Sequence, residues 1–274
     1  MQTMIKAQSH ETIPVLSLAG SDCSGGAGIQ ADLKTFQAHC VYGMTVILSV
    51  VAENTMGVIS SHDMPARLVR DQIKAIFEDI PPVALKIGML GSSEIIDCVA
   101  SALHLYKPKL VVVDPVMFAK SGFALMPESA RLDFAQKILP LASVLTPNIP
   151  EAEALCGFKI DGLDSMKAAA LAIHERGAAA VLLKGGHGGG ATSADVFFDG
   201  KEAFILEAPR VDTKNTHGTG CTLSAALTAN LARGLGGLEA ARRAKDFVFQ
   251  AILHSLNLGR GCGPTNHSYR FCWG

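Results

Sequence analysis

The sequence has few of the features that identify membrane-bound, nucleic-acid-binding or disulfide-rich proteins. Aromatic residues make up only 6% of its 274 residues, and 24 basic against 25 acidic side chains leave a net charge of −1. No basic run is present, so nucleic-acid binding is not expected. No apolar run reaches the length of a membrane span, and residues 1–12 lack the apolar core of a signal peptide. We therefore expect neither a membrane nor a nucleic acid as partner.

The number and spacing of the cysteines argue against a zinc site and against a disulfide framework. There are seven of them, scattered along the chain. No two form a C-x-x-C pair, and an odd number without such spacing fits neither a zinc site nor a disulfide framework. The pattern favours a reduced, cytoplasmic protein.

Short apolar runs are what the sequence does contain. Hydrophobic residues make up 49% of the chain. Runs such as Ile13–Ala19, Met44–Ala52 and Leu110–Val113 predict strands that are apolar on both faces. Amphipathic segments alternate with them, for example residues 65–80, where Leu68, Ile73, Ile76 and Phe77 are expected to face inward. This alternation predicts an α/β fold, with a mostly parallel central sheet covered by helices on both faces.

The same pass along the chain predicts the domain organisation. Residues 194–206, split by Asp199-Gly200, predict an antiparallel hairpin at the sheet edge. Ser93 is expected to cap the helix that follows it. No linker, repeat or block of charge divides the chain. We expect residues 1–12 to form a flexible N-terminal extension and residues 13–274 to form a single domain.

Polar and glycine residues follow the ends of the predicted strands. In open α/β sheets, ligands bind in the crevice outside the carboxyl ends of the strands. A ligand site is therefore expected where these residues meet. They are Gly20, Glu53, Gly88, Asp114, Asn148 and Lys184.

Three charged residues in this set are candidates for phosphate chemistry. Asp114 and Glu151 together could hold Mg²⁺ through waters, and Lys184 before two glycines could neutralise a nucleotide phosphate. Each has a plainer interpretation. Asp114 could serve as a turn residue, Glu151 could complement a helix dipole, and Lys184 could be a solvated surface lysine.

The stretch from Asp212 to Leu227 carries a second candidate feature. Gly218 and Gly220 precede a helix with leucines at a spacing of four, so backbone N–H groups and the helix start would form an anion site. The same amides would stabilise a thiolate at Cys221. The alternative is a glycine-capped loop before an ordinary helix.

Several longer stretches resemble one enzyme family, the hydroxymethylpyrimidine/phosphomethylpyrimidine kinases of thiamine biosynthesis, in the ribokinase-like superfamily. They span nearly the whole chain in order, except for the first dozen residues. The stretches are AGSDCSGGAGIQADLKT (19–35), VYGMTV (41–46), KIGML (86–90), VVVDPVM (111–117), LTPNIPEAE (145–153), LLKGGH (182–187), NTHGTGCTLSAA (215–226) and GPTNHSY (263–269).

The resemblance implies a three-layer ribokinase-like fold and a homodimer. It implies ATP and Mg²⁺ as cofactors, with a small-molecule pyrimidine alcohol and its monophosphate as successive phosphate acceptors. It also implies roles for individual residues. Those expected around the pyrimidine are Gly20, Asp32, Glu53, Met89, Val116 and Cys221. Those expected at the metal and phosphates are Asp114 and Glu151, at the nucleotide Lys184 and Thr216, and in the catalytic anion hole Gly218, Thr219, Gly220 and Cys221.

Two positions depart from related patterns. The wider superfamily usually has an aspartate base where Cys221 stands, whereas pyrimidine kinases and some pyridoxal kinases have cysteine. The family usually has glutamine where this chain has Glu53. The nearest alternative is therefore a pyridoxal or pyridoxine kinase of the same superfamily. A non-catalytic nucleotide-binding module and an NAD-dependent dehydrogenase are more distant alternatives, the latter because Gly25–Gly28 does not match G-x-G-x-x-G.

Overall fold

The computed structural model describes residues 11–119, 122, 124–186 and 190–271. The predicted N-terminal extension thus lies outside the described residues, except for Glu11 and Thr12. The strands are β1 (Pro14–Gly20), β2 (Tyr42–Asn54), β3 (Gly57–Asp63), β4 (Ala84–Ile87), β5 (Val111–Val113), β6 (Val144–Leu145), β7 (Val181–Leu183), β8 (Thr192–Phe198) and β9 (Ala203–Pro209). The helices are α1 (Gly28–Ala38), α2 (Ala66–Asp79), α3 (Ser93–Tyr106), α4 (Glu128–Lys137), α5 (Ile149–Cys156), α6 (Leu163–Glu175), α7 (Thr219–Ala232) and α8 (Gly237–Leu253).

The nine strands of the described residues form one sheet in the order β3-β2-β1-β4-β5-β6-β7-β8-β9. Strands β2, β1, β4, β5, β6 and β7 are parallel neighbours. Strand β3 pairs antiparallel with β2 at one edge, and the β8–β9 hairpin is antiparallel at the other. The predicted mostly parallel sheet and its edge hairpin are confirmed.

Alternate side chains of the strands pack into two helix layers. Leu16 and Leu18 of β1 lie in a core formed with α2 to α6. Val15 of the same strand packs with Phe36 of α1 and with the alanines of α7, and Phe247 of α8 extends this second layer. Because successive strand residues point to opposite faces, strands buried on both sides are apolar throughout. Helices on both faces were predicted, and this prediction is confirmed.

Two local predictions are wrong, and one strand was not predicted. Strand β3 carried no prediction, because its sequence GVISSHD is largely polar and its central residues are exposed. Leu68 is 43% exposed, because it lies five residues, or about 140° around the helix, from buried Ile73. Ser93 is the first helical residue rather than the cap, and Ser92 occupies the N-cap position.

No helix among the described residues is both long enough and apolar enough to cross a membrane.

A buried ion pair connects the edge hairpin to the helix layer. Lys245 of α8 places its Nζ 2.7 Å from Oδ2 of Asp195 in β8, and both residues are buried. The other carboxylate oxygen accepts a hydrogen bond of 2.9 Å from Gly185 N. A Cβ at Gly185 would overlap Ala194 O, so the chain passes tightly here. Asp195 therefore anchors the backbone next to Lys184.

Replacing Lys245 should lower the free energy of unfolding far more than replacing an exposed ion-pair residue on the same helix. Lys245→Met leaves a buried carboxylate unpaired, so the free energy of unfolding should fall by about 3–5 kcal/mol. Arg243 is the matched control, because its 2.7 Å contact with Glu239 is exposed, and Arg243→Met should cost under about 1 kcal/mol. Urea unfolding of both variants measures the difference, and equal losses would contradict the assigned anchoring role.

Candidate active site

The candidate site lies where the carboxyl ends of the parallel strands meet. Strand β1 is flanked by β2 on one side and β4 on the other. Strands later in the sequence therefore lie on both sides of β1, and a crevice opens at the point where the strand order reverses. The predicted residues at strand ends lie along this edge. They are Gly20 at the end of β1, Glu53 near the end of β2, Met89 after β4, Asp114 after β5 and Lys184 after β7.

Asp114 and Lys184 form an ion pair at the centre of this edge. Lys184 Nζ lies 2.8 Å from Asp114 Oδ1, and Thr146 Oγ1 donates to the same oxygen at 3.2 Å. Burial opposes the charge on Lys184, but the Asp114 and Glu151 carboxylates raise its pKa. The alternative of a solvated surface lysine, left open by the sequence, is therefore not what the structure shows.

The glycine turn at the start of α7 lies against this ion pair. A Cβ at Gly220 would be 3.4 Å from Asp114 Oδ2 and 3.5 Å from Lys184 Nζ. Thr219 begins α7, and its Oγ1 donates to Thr216 O at 3.2 Å. Thr216 itself directly precedes the turn, with Oγ1 3.5 Å from Cys262 Sγ. The structure thus brings the predicted anion turn and the predicted phosphate-binding charges together.

Glu151 caps a helix and also lies near Asp114. Its backbone N donates to Asn148 Oδ1 at 2.9 Å, and its Oε2 accepts from Asn148 N at 2.9 Å, which is a capping box at the start of α5. Met117 N lies 3.4 Å from its other oxygen. Burial raises the pKa of Glu151 to about 7, with Lys184 opposing and Asp114 contributing to the rise. The helix-terminus role left open by the sequence is therefore present.

The Asp114–Glu151 pair fits Mg²⁺ in its chemistry. Both offer carboxylate oxygens, the ligands that this hard cation prefers. Among the described residues, Asp114 Oδ2 has only a long hydrogen bond of 3.5 Å from Ser224 Oγ, so one oxygen keeps room for a bound water. Mutual repulsion of two neighbouring carboxylates is what a divalent cation relieves.

A second group of possible ligands lies on the other side of the crevice. Single ligand atoms of Asp22, Glu53 and His217 all lie within 4.8 Å of one another. Asp22 Oδ2, however, already accepts from Gly26 N at 2.9 Å and Ala27 N at 2.7 Å. These hydrogen bonds suit an Asp22 carboxylate that is held in place by backbone N–H groups better than one that coordinates a metal.

Asp22 joins the two glycine-rich turns of the site. His217 Nε2 lies 2.9 Å from Asp22 Oδ2, and Ser24 N donates to Oδ1 at 2.7 Å. Burial opposes ionisation, but the hydrogen bonds from His217, Ser24 and Ala27 hold the pKa of Asp22 well below its usual range. A Cβ at Gly218, whose φ is +77°, would overlap Gly26 O, so only glycine lets the turns approach this closely.

Glu53 lies half-buried beside this junction. Burial, together with the Asp22 carboxylate, raises its pKa to about 7, while His217 opposes the rise. A carboxyl group with this pKa is protonated in a large fraction of molecules near neutral pH. It then has a donor as well as an acceptor.

Asp32 belongs to a fully buried network. Its Oδ2 accepts from Ser17 Oγ at 2.5 Å and from Lys86 Nζ at 2.8 Å. Its Oδ1 has no hydrogen-bond partner within the part of the chain that the structure describes. A buried acceptor without a partner is costly, so this oxygen is available to a donor on a ligand.

The predicted thiolate at Cys221 is wrong for this structure. Burial raises the pKa of the thiol to about 11, although the Lys86 cation and a hydrogen bond from Gly28 N act in the opposite direction. Asp32 and Asp114 add to the rise. Desolvation therefore outweighs the Lys86 cation and the Gly28 amide.

The remaining predicted residues also line the edge. A Cβ at Gly20 would lie 3.3 Å from Met89 Sδ, so these two positions face each other. Val116 is half-buried in the loop after β5, and its N donates to Asp114 O at 2.8 Å.

The contributing residues that the sequence analysis missed include Ser17, Asp22, Lys86 and His217. A signal existed for two of them, because Ser17 and Lys86 are polar residues inside otherwise apolar strands. Lysine is almost never fully buried unless it is paired, so Lys86 called for an acidic partner. Asp22 and His217 stand 195 positions apart, and no local pattern indicates their contact.

Comparison with known proteins places these residues in context. Residues 22–266 match the family model described as phosphomethylpyrimidine kinase. The chain is 49% identical over 258 residues to a hydroxymethylpyrimidine/phosphomethylpyrimidine kinase of Haemophilus influenzae, covering 92% of this chain and 96% of the relative. It is 47% identical over 253 residues to a thiamine biosynthesis bifunctional protein of Geobacter sulfurreducens, covering 92% of this chain and 52% of that longer protein.

A solved structure gives the corresponding likeness in fold. The ADP complex of Bacillus subtilis pyridoxal kinase superposes with a TM-score of 0.89 at 40% identity, covering 96% of this chain and 100% of that one.

Replacing the junction aspartate tests the assembly of the two turns. Asp22→Asn keeps the shape but turns an acceptor into a donor facing backbone N–H groups, so the free energy of unfolding at pH 7 should fall by about 1–3 kcal/mol. A carboxylate with a lowered pKa stabilises the fold above its unfolded-state pKa of about 3.9 and loses this effect as pH falls. The deficit of the variant should therefore shrink between pH 5 and pH 3.

Asp199→Asn is the control, because Asp199 is an exposed turn aspartate that also accepts backbone hydrogen bonds. Urea titrations at several pH values measure both variants. A deficit for Asp22→Asn that is unchanged at pH 3 would mean that the ionised carboxylate does not hold the junction.

Proposed function

The chain belongs to the phosphomethylpyrimidine kinase family, and from that premise we propose that it is a kinase of thiamine biosynthesis. It transfers the terminal phosphate of ATP to the hydroxymethyl group of a hydroxymethylpyrimidine, and a second phosphate to the resulting monophosphate. The ribokinase-like fold expected from the sequence is confirmed. One observation carries the proposal: the Asp114–Lys184 pair lies against the glycine turn at the start of α7.

The phosphate side of the site suits transfer by positioning and neutralisation. Phosphoryl transfer needs little covalent help from the protein and depends on charge placed around the moving group. Lys184, with Thr216, would hold the nucleotide phosphates. The amides of Gly218, Thr219, Gly220 and Cys221 would receive the transferred group at the helix start. Mg²⁺, which Asp114 and Glu151 would hold through waters, supplies further charge neutralisation when bound.

Cys221 would accept the proton of the attacking alcohol. The hydroxyl oxygen bonds to the terminal phosphorus of ATP, the bond from that phosphorus to the ADP oxygen breaks, and the hydroxyl proton passes to sulfur. Only the thiolate can accept this proton. With a thiol pKa of about 11, the thiol must first lose its proton to solvent, and the thiolate formed is a strong base.

The ring side of the site suits a small planar substrate. The Met89 side chain lies against Gly20, and Val116 adds an apolar wall. Asp32 Oδ1 is a buried acceptor without a partner among the described residues, and a ring substituent with an N–H group would satisfy it. Glu53 approaches from β2 with a carboxyl that is neutral in part near pH 7.

A pyridoxal kinase is the second candidate, because of the likeness to the Bacillus subtilis pyridoxal kinase structure and the carboxyl group at position 53. The homodimer also belongs to the proposal. Ile59 of edge strand β3 and Met56 before it are 74% and 63% exposed, and such apolar surface suits contact with a second copy. The single domain and the cytoplasmic location stay predictions.

A kinase assay with purified protein, ATP and Mg²⁺ tests the function. ADP should form only with an added alcohol, and the hydroxymethylpyrimidine should exceed pyridoxal and pyridoxine in kcat/KM. Cys221→Ala should lower kcat by about 10²–10⁴, the usual contribution of a general base, while ATP binding persists. Cys40→Ala is the control, because Cys40 is exposed beyond the far end of α1. A preference for pyridoxal would replace the substrate assignment, and wild-type turnover in Cys221→Ala would remove the base.

The pH dependence of substrate binding should depend on Glu53. A neutral Glu53 can donate to a ring nitrogen, whereas an ionised one sets two acceptors together at a cost of about 1–3 kcal/mol. Because burial and Asp22 raise the pKa of Glu53 to about 7, KM for the pyrimidine should rise as pH increases above 7. A protonated ring nitrogen facing ionised Glu53 gives the same trend.

Glu53→Gln needs no proton to make the same paired contact, so its KM should stay flat across this range with activity retained. Glu207→Gln is the control, because Glu207 is exposed on β9. Apparent KM measured from pH 6 to pH 9 for the wild type, Glu53→Gln and Glu207→Gln tests whether Glu53 contacts the ring. Parallel curves would show that Glu53 does not contact the ring, and would favour the pyridoxal alternative.

A further inference from the structure

Lys86 is a fully buried lysine in the middle of the central sheet, with no part in the reaction described so far. It lies in β4 between Ser17 of β1 and Val112 of β5, which are its partners in register. Its neighbours Leu85 and Ile87 point into the core formed with α2 to α6. Because side chains alternate between faces, Lys86 points to the opposite face, which α1 and α7 cover.

The ammonium group lies towards the carboxyl end of its strand. A Cβ at Gly88 would be 2.9 Å from Lys86 Nζ and 3.0 Å from Ala19 Cβ. Glycine at position 88 therefore leaves the space that the ammonium fills. The charge is thus held directly below the crevice rather than deep in the sheet.

The charged and titratable groups around Lys86 and Cys221 come from several elements. Asp32 of α1 is 2.8 Å from Lys86. Ala84, two residues before Lys86 on the same face of β4, packs in one cluster with Ala225 of α7, and Cys221 lies about one helical turn before Ala225. Asp114 follows β5 and Lys184 follows β7. Burial opposes the charge on Lys86, but Asp32, Cys221 and Asp114 raise its pKa above the usual range. The lysine therefore remains a cation throughout the pH range in which the enzyme would work.

A purely structural role would be a poor explanation for this cation. Burying an ion pair costs several kcal/mol of desolvation, and an apolar pair of similar volume is often as stable. The opposite charges of Lys86 and Asp32 act on the Cys221 thiol in opposite directions, with Lys86 as the largest influence that favours the thiolate.

We propose that Lys86 is a positioning residue for the transfer reaction, whose buried ammonium holds Asp32 in place and favours the thiolate of Cys221. This role rests on the proposed function, in which Cys221 accepts the hydroxyl proton. The Lys86 side chain is fully buried and pairs with Asp32, so in this role it acts through its charge on Asp32 and Cys221. Without it, the Asp32 and Asp114 carboxylates would oppose thiolate formation together.

The reactivity of the Cys221 thiol measures this effect without turnover. Thiolates are alkylated by iodoacetamide and thiols are not, so the alkylation rate against pH reports the thiol pKa. Mass spectrometry of the peptide that contains Cys221 separates it from the other cysteines. A nearby opposite charge shifts a pKa by about 1–3 units, which at a fixed pH below the midpoint is a change of about 10-fold or more in rate.

The variants are Lys86→Met, Asp32→Asn and the double variant. Lys86→Met should slow Cys221 alkylation at least about 10-fold at pH 8, and Asp32→Asn should accelerate it. The double variant lacks both charges and should be slower than Asp32→Asn alone. In the double variant the loss of Lys86 leaves no unpaired carboxylate at position 32. The comparison of the double variant with Asp32→Asn therefore remains valid even if Lys86→Met alone does not fold. The acid limb of kcat against pH should shift in the same order.

Lys245→Met is the matched control, because Lys245 also forms a buried ion pair but on α8 with Asp195. It should leave Cys221 alkylation unchanged. Equal alkylation profiles for Asp32→Asn and the double variant would overturn the proposal and leave Lys86 a structural residue. Failure of the proposed function is distinguishable, because it would appear as absent pyrimidine phosphorylation or as full turnover in Cys221→Ala, whatever the alkylation profiles are.

Discussion

Opposite charges buried against the sheet are the constraint on which the candidate site depends. Lys86 pairs with Asp32 and Lys184 with Asp114, each at 2.8 Å. A charge leaves water for such a place only when a partner and further hydrogen bonds compensate it. Ser17 completes the first pair and Thr146 the second. The turn that carries Cys221 lies between the two pairs, so its surroundings are fixed before any ligand binds.

The geometry of that turn depends on a contact between distant parts of the chain. Asp22 accepts hydrogen bonds from its own glycine-rich loop and from His217 of the turn. Gly218 allows the two backbones to approach to a distance that any Cβ would prevent. Since binding sites of this kind use backbone N–H groups, the direction of those groups is set by one carboxylate and one glycine. The adjacent Glu53 then experiences the same negative charge that organises the turn.

A feature of the fold or site could be predicted where it depends on a local sequence pattern, and could not where it depends on residues far apart in the sequence. The layered α/β fold was predictable, because short runs such as Val111–Val113 are apolar on both faces. The positions of Asp114 and Lys184 followed from the same rule about strand ends. Strand β3 was missed because a polar edge strand carries no apolar period. The prediction of a thiolate at Cys221 was wrong, because it considered only the local amides, which favour ionisation. Burial depends on the whole fold and opposes ionisation of the thiol more strongly.

Glu53, Glu151 and Cys221 bind protons more tightly than usual, and one physical reason covers them. Burial raises the pKa of Glu53 and Glu151 to about 7 and that of Cys221 to about 11. The nearby cations do not remove this effect, because Lys86 and Lys184 already balance Asp32 and Asp114. Ionising a further acid here therefore needs positive charge or donors from outside the chain. A divalent cation at Glu151 and a ring N–H group at Glu53 are ligands of that kind, so the protein's own charge balance favours the groups that the proposed reaction brings.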